Sequence, residues 1–188
     1  MATVLLPLAE GFEEIEAVTV IDLLRRAGID VVVAGLAPGP VRGSHDIPLT
    51  PDAPLDEALE RDYDMVVLPG GMPGADHLEK DGRVRELLRR LADSGRFTAA
   101  ICAAPKVLAA AGLLEGRRAT SFPGFLDAAA IAGLELSEEP VVQDGRVITS
   151  RGPGTAMDFA LALIENLAGS DARRDVESRL QRPGHPAG

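Results

Sequence analysis

Residues 98–114, TAAICAAPKVLAAAGLL, decide how this chain is read. An apolar run arrives at Cys102 and a helix-forming run leaves it. Ala99, Ala100, Ala103 and Ala104 crowd the junction and leave room for a tight turn with close helix–sheet packing. The stretch predicts a buried strand over 97–101 that runs directly into a helix over 103–111. The same alternation repeats outward. Buried-type strands are expected at 2–8, 30–35 and 64–71, and further strands at 118–121, 141–145 and 146–150, the last two joined by a QDGR hairpin turn. Residues 40–49 read as a small hairpin. Helices are expected at 11–28, 54–61, 81–95 and 154–169; the first has acids in its opening turn, Arg25 and Arg26 in its last, and Gly28 beyond. Strands alternating with helices imply an α/β fold, a mostly parallel sheet with helices on both faces. No repeat or linker splits the chain, so 1–170 reads as one domain. From Asp171 the tail begins as an amphipathic helix, and 181–188 reads as frayed.

The 188 residues are 46% hydrophobic but hold five Phe, one Tyr and no Trp, so the core must be aliphatic. A formal charge of −10 argues against nucleic acid or an anionic membrane as partner. One cysteine forms no internal disulfide, which fits a reducing, cytoplasmic setting. The opening MATVLLPLAEGFEE lacks a basic segment and a long apolar run, so neither a signal peptide nor a membrane span is expected.

Ligands of open α/β sheets bind outside the carboxyl ends of strands, which is where Cys102 falls. A sharp turn there projects the sulfur as a nucleophile elbow does. Beside a helix N-terminus, free N–H groups favour the thiolate and lower the thiol pKa. The alternative is a small buried hydrophobe, the commoner fate of a lone cysteine. A second group comes from the stripe Phe12, Ile15, Glu16, Thr19, Val20, Leu23 and Leu24, in which Glu16 is the only acid. An acid on a core face needs a partner or takes up a proton, and then serves as general acid or base. Glu13 and Glu14 read instead as first-turn acids facing water. The loop LPGGMPGADHL, 68–78, has neither phosphate-loop nor dinucleotide spacing, but Gly70 and Gly71 let the backbone present N–H groups. Those of Gly71 and Ala103 can together bind an oxyanion. His45, His77 and His185 show no metal-ligand spacing, so no metal is expected, and His77 reads as a solvated loop residue near the glycines.

AEGFEEIEAV (9–18), LPGGMPGA (68–75), AAICAAP (99–105) and SRGPGTAMDFAL (150–161), in that order, resemble the ThiJ/PfpI superfamily and within it the parkinsonism-associated protein deglycase branch. The resemblance runs from residue 2 to about 170. It implies a flavodoxin-like three-layer sandwich of the class I glutamine amidotransferase type, a homodimer, and no cofactor. It implies a reactive Cys102, a buried protonated Glu16 beside it, and Gly71 and Ala103 lining the pocket with their amides. Gly70, Arg26, His45 and Pro153 match pocket or interface positions. The implied activity is conversion of methylglyoxal, a small reactive aldehyde, to lactate, or repair of early glycation adducts. The alternative is an oxidant sensor or holding chaperone that uses the same cysteine. Three departures stand out. Protease-like relatives carry His directly after the cysteine, where Ala103 stands here, which argues against a peptidase. Some relatives have His before Pro in the strand after the elbow helix, where this chain has Phe122. Relatives can have Arg in the hairpin, where this chain has His45, with Arg26 matching another basic residue of that region.

Overall fold

A computed structural model describes residues 1–183. Seven strands form one sheet. In chain order they are β1 (Thr3–Leu8), β2 (Asp30–Gly35), β5 (Ala53–Pro54), β6 (Met65–Leu68), β7 (Phe97–Ile101), β10 (Val141–Asp144) and β11 (Val147–Ser150). Two small pairs lie outside it: β3 (Val41–Arg42) with β4 (Pro48–Leu49), and β8 (Arg118–Ala119) with β9 (Glu135–Leu136). The sheet order is β10-β11-β7-β6-β1-β2-β5, and every pairing is parallel except the β10–β11 hairpin. Read without the edge strands β10 and β5, this is the flavodoxin order, with the chain reversing direction across the sheet between β1 and β6.

Both faces of a parallel sheet are covered, so its strands are apolar without alternation. Val4, Leu6 and Leu8 of β1 join one core cluster, while Leu5 joins the other. Helices α1 (Glu14–Arg26) and α6 (Ala156–Ser178) pack together over the first face. Helices α2 (Leu55–Ala58), α3 (Gly74–Lys80), α4 (Gly82–Asp93) and α5 (Pro105–Ala110) cover the second. Both cores are aliphatic, with Phe12 and Phe159 the largest fully buried side chains.

Several elements differ from the sequence expectation. The strand expected over 118–121 is Arg118–Ala119 alone, paired with Glu135–Leu136 in a separate two-stranded sheet. The sequence reading treats 68–78 as a loop, although Gly74–Lys80 is helical. The helix expected at 103–111 starts only at Pro105, because Cys102–Ala104 form the turn. The first helix starts at Glu14 rather than residue 11, capped by the Glu13 carboxylate, which accepts from the Glu16 amide at 2.8 Å. Gly169, at φ 88° and ψ 169°, interrupts α6 where the sequence reading ends the last helix. Beyond it Val176 is buried in the first core. Arg182 is ion-paired to Asp158 at 2.7 Å and Glu177 at 3.2 Å, so this part of the expected frayed tail is tied down. Residues 184–188, His185 among them, lie outside the described residues. Among the described residues no helix is long and apolar enough to cross a membrane.

Candidate active site

Three strand ends meet at the carboxyl edge of the sheet. β1 delivers α1 and with it Glu16; β6 delivers Gly70 and Gly71; β7 delivers Cys102. β1 and β6 are the neighbours at which the topology switches, the place where open α/β sheets leave a crevice.

Cys102 sits at φ +63°, in the left-handed region that a non-glycine residue enters only at a cost. Two backbone bonds hold it there. Its amide donates to Ser150 O at 2.9 Å, and its carbonyl accepts from the Phe122 amide at 2.9 Å. The next strand and the chain after α5 thus clamp the turn from both sides. Only 9% of the residue is exposed, so whatever reaches the sulfur must be small or thin.

Glu16 is fully buried. Its Oε2 accepts from the Gly70 amide at 2.8 Å. Its Oε1 is buried with no N–H or O–H donor against it among the described residues, and the Cys102 thiol is the hydrogen-bond partner left to the carboxyl. Burial pushes the Glu16 carboxyl up to about 7, with the nearby Glu13 charge adding to the rise against the pull of the thiol and the Gly70 amide. The thiol is pushed up as well, to about 12, by burial and then by the charge and hydrogen bond of Glu16; the amides of Ala103 and Gly71 pull it the other way. This overturns the expectation of a lowered thiol pKa. Ala103 and Ala104 belong to the turn rather than to a helical first turn, and the sulfur is enclosed beside a carboxylate. The two amides do point at the sulfur, but they do not outweigh burial and charge.

Gly71 has φ +91°, and a Cβ there would strike the Gly11 carbonyl and the Glu13 amide. A Cβ on Gly70 would lie 2.7 Å from both Cys102 Cβ and Glu16 Oε2. These glycines are therefore required by contact, with Gly71 needing its backbone freedom too. Lys106 of α5 is ion-paired to Asp76 and, at 3.1 Å, to Glu79, so the helix after the elbow is pinned to the helix after the glycine loop.

The sequence reading places Glu13 and Glu14 in water, and both are buried. The hairpin folds over them. Glu14 accepts from the His45 amide at 2.7 Å and lies 2.9 Å from His45 Nδ1, with the Ser44 hydroxyl and the Ile47 amide also against it. Burial alone would raise the Glu14 carboxyl; its bonds to the His45 side chain and to the backbone, chiefly that of His45, outweigh this and hold it at about 2. Glu14 in turn raises the pKa of the exposed His45 imidazole. Because the folded Glu14 pKa lies below its ordinary 4.5, its contribution is complete above pH 4.5 and is lost as pH falls toward 2. Glu14→Gln is therefore expected to flatten the acid limb of stability between pH 4.5 and 2. Urea midpoints taken across that range check it, and an unchanged limb would show that the hairpin clamp contributes nothing.

Glu13, Glu14 and His45 present ligand atoms within 4.8 Å of one another, a grouping invisible in the linear spacing of the histidines. Both Glu14 oxygens are already occupied by the hairpin. Arg26 does not join His45. It ends α1, about 18 Å of helix from Glu14, and pairs with Asp22 at 2.7 Å. His77 is exposed, with Nδ1 3.1 Å from Glu10 O, and lines a different depression with Leu8 and Leu36. Pro153 opens a short 3-10 turn, Pro153–Thr155, and lines one depression together with Phe122.

Comparison with known proteins matches residues 2–166 to the DJ-1/PfpI family. The Danio rerio Parkinson disease protein 7 homolog is 44% identical, with 92% of this chain and 93% of the relative covered. The Caenorhabditis elegans glutathione-independent glyoxalase DJR-1.2 is 38% identical, with 90% of each covered. The Arabidopsis thaliana DJ-1 homolog A is 41% identical over 95% of this chain, which spans 46% of that longer protein. Among solved structures, Drosophila melanogaster DJ-1beta superposes with a TM-score of 0.90 at 42% identity, over 95% of this chain and 97% of that one.

Proposed function

The chain belongs to the DJ-1/PfpI family, and on that premise we propose that it is a cofactor-independent glyoxalase converting methylglyoxal to lactate. The observation that carries the proposal is the pairing of a strained, amide-flanked thiol with a buried carboxyl that shares its hydrogen bond. A relative named a glutathione-independent glyoxalase supports it.

The chemistry balances with these groups alone. Ionised Glu16 takes the Cys102 proton as the sulfur bonds to the aldehyde carbon. The oxyanion that forms is held by the amides of Gly71 and Ala103, and Glu16 returns the proton to give a hemithioacetal. Glu16 then removes the hydrogen on that carbon, giving an enediolate, and delivers it to the neighbouring carbon while the hydroxyl proton passes from the first oxygen to the second. The product is a lactoyl thioester. Water hydrolyses it and frees lactate and the thiol. The aldehyde carbon is oxidised and the ketone carbon reduced, so no external redox partner enters. A carboxyl with pKa near 7 suits a group that must both take and give a proton at neutral pH.

An oxidant sensor would use the same sulfur. The fully buried Glu16 carboxyl, held by the Gly70 amide and hydrogen-bonded to the thiol, can take and return a proton, and this favours the enzyme reading. We place the homodimer contact on the outer face of α1 and the β3–β4 hairpin, where Ile15, Val18 and Ile47 are exposed apolar side chains.

The test is lactate formation from methylglyoxal without glutathione. Wild type is expected to form it and Cys102→Ser to lose it to the buffer rate. No lactate from wild type ends the glyoxalase reading.

A further inference from the structure

The N-cap of α1 is a glutamate, an uncommon choice. Helix starts favour Ser, Thr, Asp or Asn, whose short side chains reach the free amides of the first turn. Glu13 folds a longer chain back to do the same, and its Oε2 accepts from the Glu16 amide at 2.8 Å. The side chain is nine-tenths buried. The cation that comes nearest among the described residues is the exposed His45, with Nδ1 3.9 Å from Glu13 Oε1, beyond hydrogen-bond reach. Burying an acid without a close ionic partner is costly, so capping alone does not account for a carboxylate here.

The bonds of Glu13 lead to the site. Its amide donates to Gly70 O at 2.9 Å, the Gly70 amide donates to Glu16 Oε2 at 2.8 Å, and the Glu16 amide donates back to Glu13 Oε2. The three residues close a ring in which each donates once and accepts once. The ring holds Glu16 by both backbone and carboxyl, and the Cys102 thiol takes a further hydrogen bond of that carboxyl. Burial raises the Glu16 carboxyl most, and two titratable groups then bear on it. Cys102, at the end of β7, lowers it through the shared hydrogen bond, while Glu13 opposes its ionisation by charge. The end of β6 adds the Gly70 amide. Glu14 is turned to the hairpin, where His45 holds it. The buried side chains of α6 from Ala156 to Ile164, the helix packed along α1, are all apolar.

We propose that Glu13 is a positioning residue for Glu16: the ring it closes with Gly70 aims the Glu16 carboxyl at the Cys102 thiol, and its negative charge makes Glu16 the stronger base. The proposal rests on the reading of Glu16 as proton carrier. It goes beyond that reading by giving control of the carrier to a second acid, which the sequence presents only as a first-turn residue facing water.

Two variants separate the ring from the charge. Glu13→Gln keeps an oxygen for the Glu16 amide and removes the charge; Glu13→Ala removes both. In Glu13→Gln the limb of kcat that rises through about 7 is expected to move to lower pH, with the plateau kept within about threefold. In Glu13→Ala kcat is expected to fall about tenfold or more with KM little changed, because a group misplaced by about 1 Å can cost about 10²-fold. Asp81→Ala is the control for a lost cap alone, since Asp81 caps α4 by accepting from the Arg83 amide at 2.9 Å. It is expected to leave both limb and kcat in place. An unmoved limb in Glu13→Gln, a wild-type kcat in Glu13→Ala, or an equal fall in Asp81→Ala overturns the proposal. A second arm needs no turnover. The Glu16 carboxyl is titrated by carbon NMR, its signal assigned by its loss in Glu16→Gln, and its midpoint is expected to be lower in Glu13→Gln than in wild type. If wild type forms no lactate, the glyoxalase reading fails and this arm alone decides. A lowered midpoint supports control of Glu16 by Glu13, and an unchanged one overturns it.

Discussion

Glu16→Gln is expected to lower kcat for lactate formation by roughly 10²–10⁴-fold, the range for removing a positioned acid–base group. Glutamine keeps the shape and can still accept from the Gly70 amide, the bond that Glu16 Oε2 makes at 2.8 Å. It cannot take the thiol proton or carry a hydrogen between carbons. The variant should therefore still be alkylated at Cys102 while failing to turn over. Wild-type kcat is expected to rise with pH through about 7 as Glu16 ionises, and the variant to lack that limb. Stability should move oppositely. The folded pKa lies above the ordinary 4.5, so the folded state holds its proton longer than the unfolded chain. The stabilisation is complete below pH 4.5 and is lost as pH rises toward 7, by on the order of 3 kcal/mol. Glu16→Gln should lack this decline and be the more stable protein at pH 8. If the variant keeps a tenth or more of wild-type kcat, Glu16 is not the proton carrier.

Local pattern made much of this site readable. The alanines around Cys102 and the apolar run before it were enough to place a strand end there, because buried parallel strands carry their signal in every residue. Glu16 falls on the buried side of α1, although the stripe used to place it was partly wrong. Ile15 is 56% exposed, and the buried face runs through Glu14, Ala17 and Ile21 as well. Periodicity sees one helix and assumes that everything off its main stripe meets water. Glu13 and Glu14 escaped that rule through contacts 30 residues away, where Ser44, His45 and Ile47 fold over them. No window along the chain contains both partners. The two-residue strands β5 and β9 carry too little pattern to be seen, and α3 was hidden by the proline and glycines at its start. The thiol pKa was misjudged for a related reason. Helix amides are a local feature, whereas the burial and the carboxylate that oppose them come from α1 and from the sheet.

Gly70→Ala adds one methyl group and is expected to cost at least 100-fold in kcat/KM. The added Cβ would lie 2.7 Å from Cys102 Cβ, 2.7 Å from Glu16 Oε2 and 2.9 Å from Ile101 O, closer than real Cβ contacts come. None of these is the loose end of a flexible side chain. Cys102 is fixed by its bonds to Ser150 and Phe122, Ile101 O belongs to β7, and Glu16 is enclosed on all sides. Nor can residue 70 retreat freely. Its amide is the donor to Glu16 Oε2, and its carbonyl accepts from the Glu13 amide at 2.9 Å. The methyl group must therefore separate the thiol from the carboxyl or break the bond that orients the carboxyl. A shift of about 1 Å in such a pair is enough for the loss expected. Stability should fall by about 1–3 kcal/mol, the usual cost of overpacking. Gly82→Ala is the matched control, since a Cβ there meets nothing within 4 Å. Kinetics and urea midpoints of both variants check the argument. If Gly70→Ala retains wild-type kcat/KM, the close approach of thiol, carboxyl and glycine loop is not what the reaction uses.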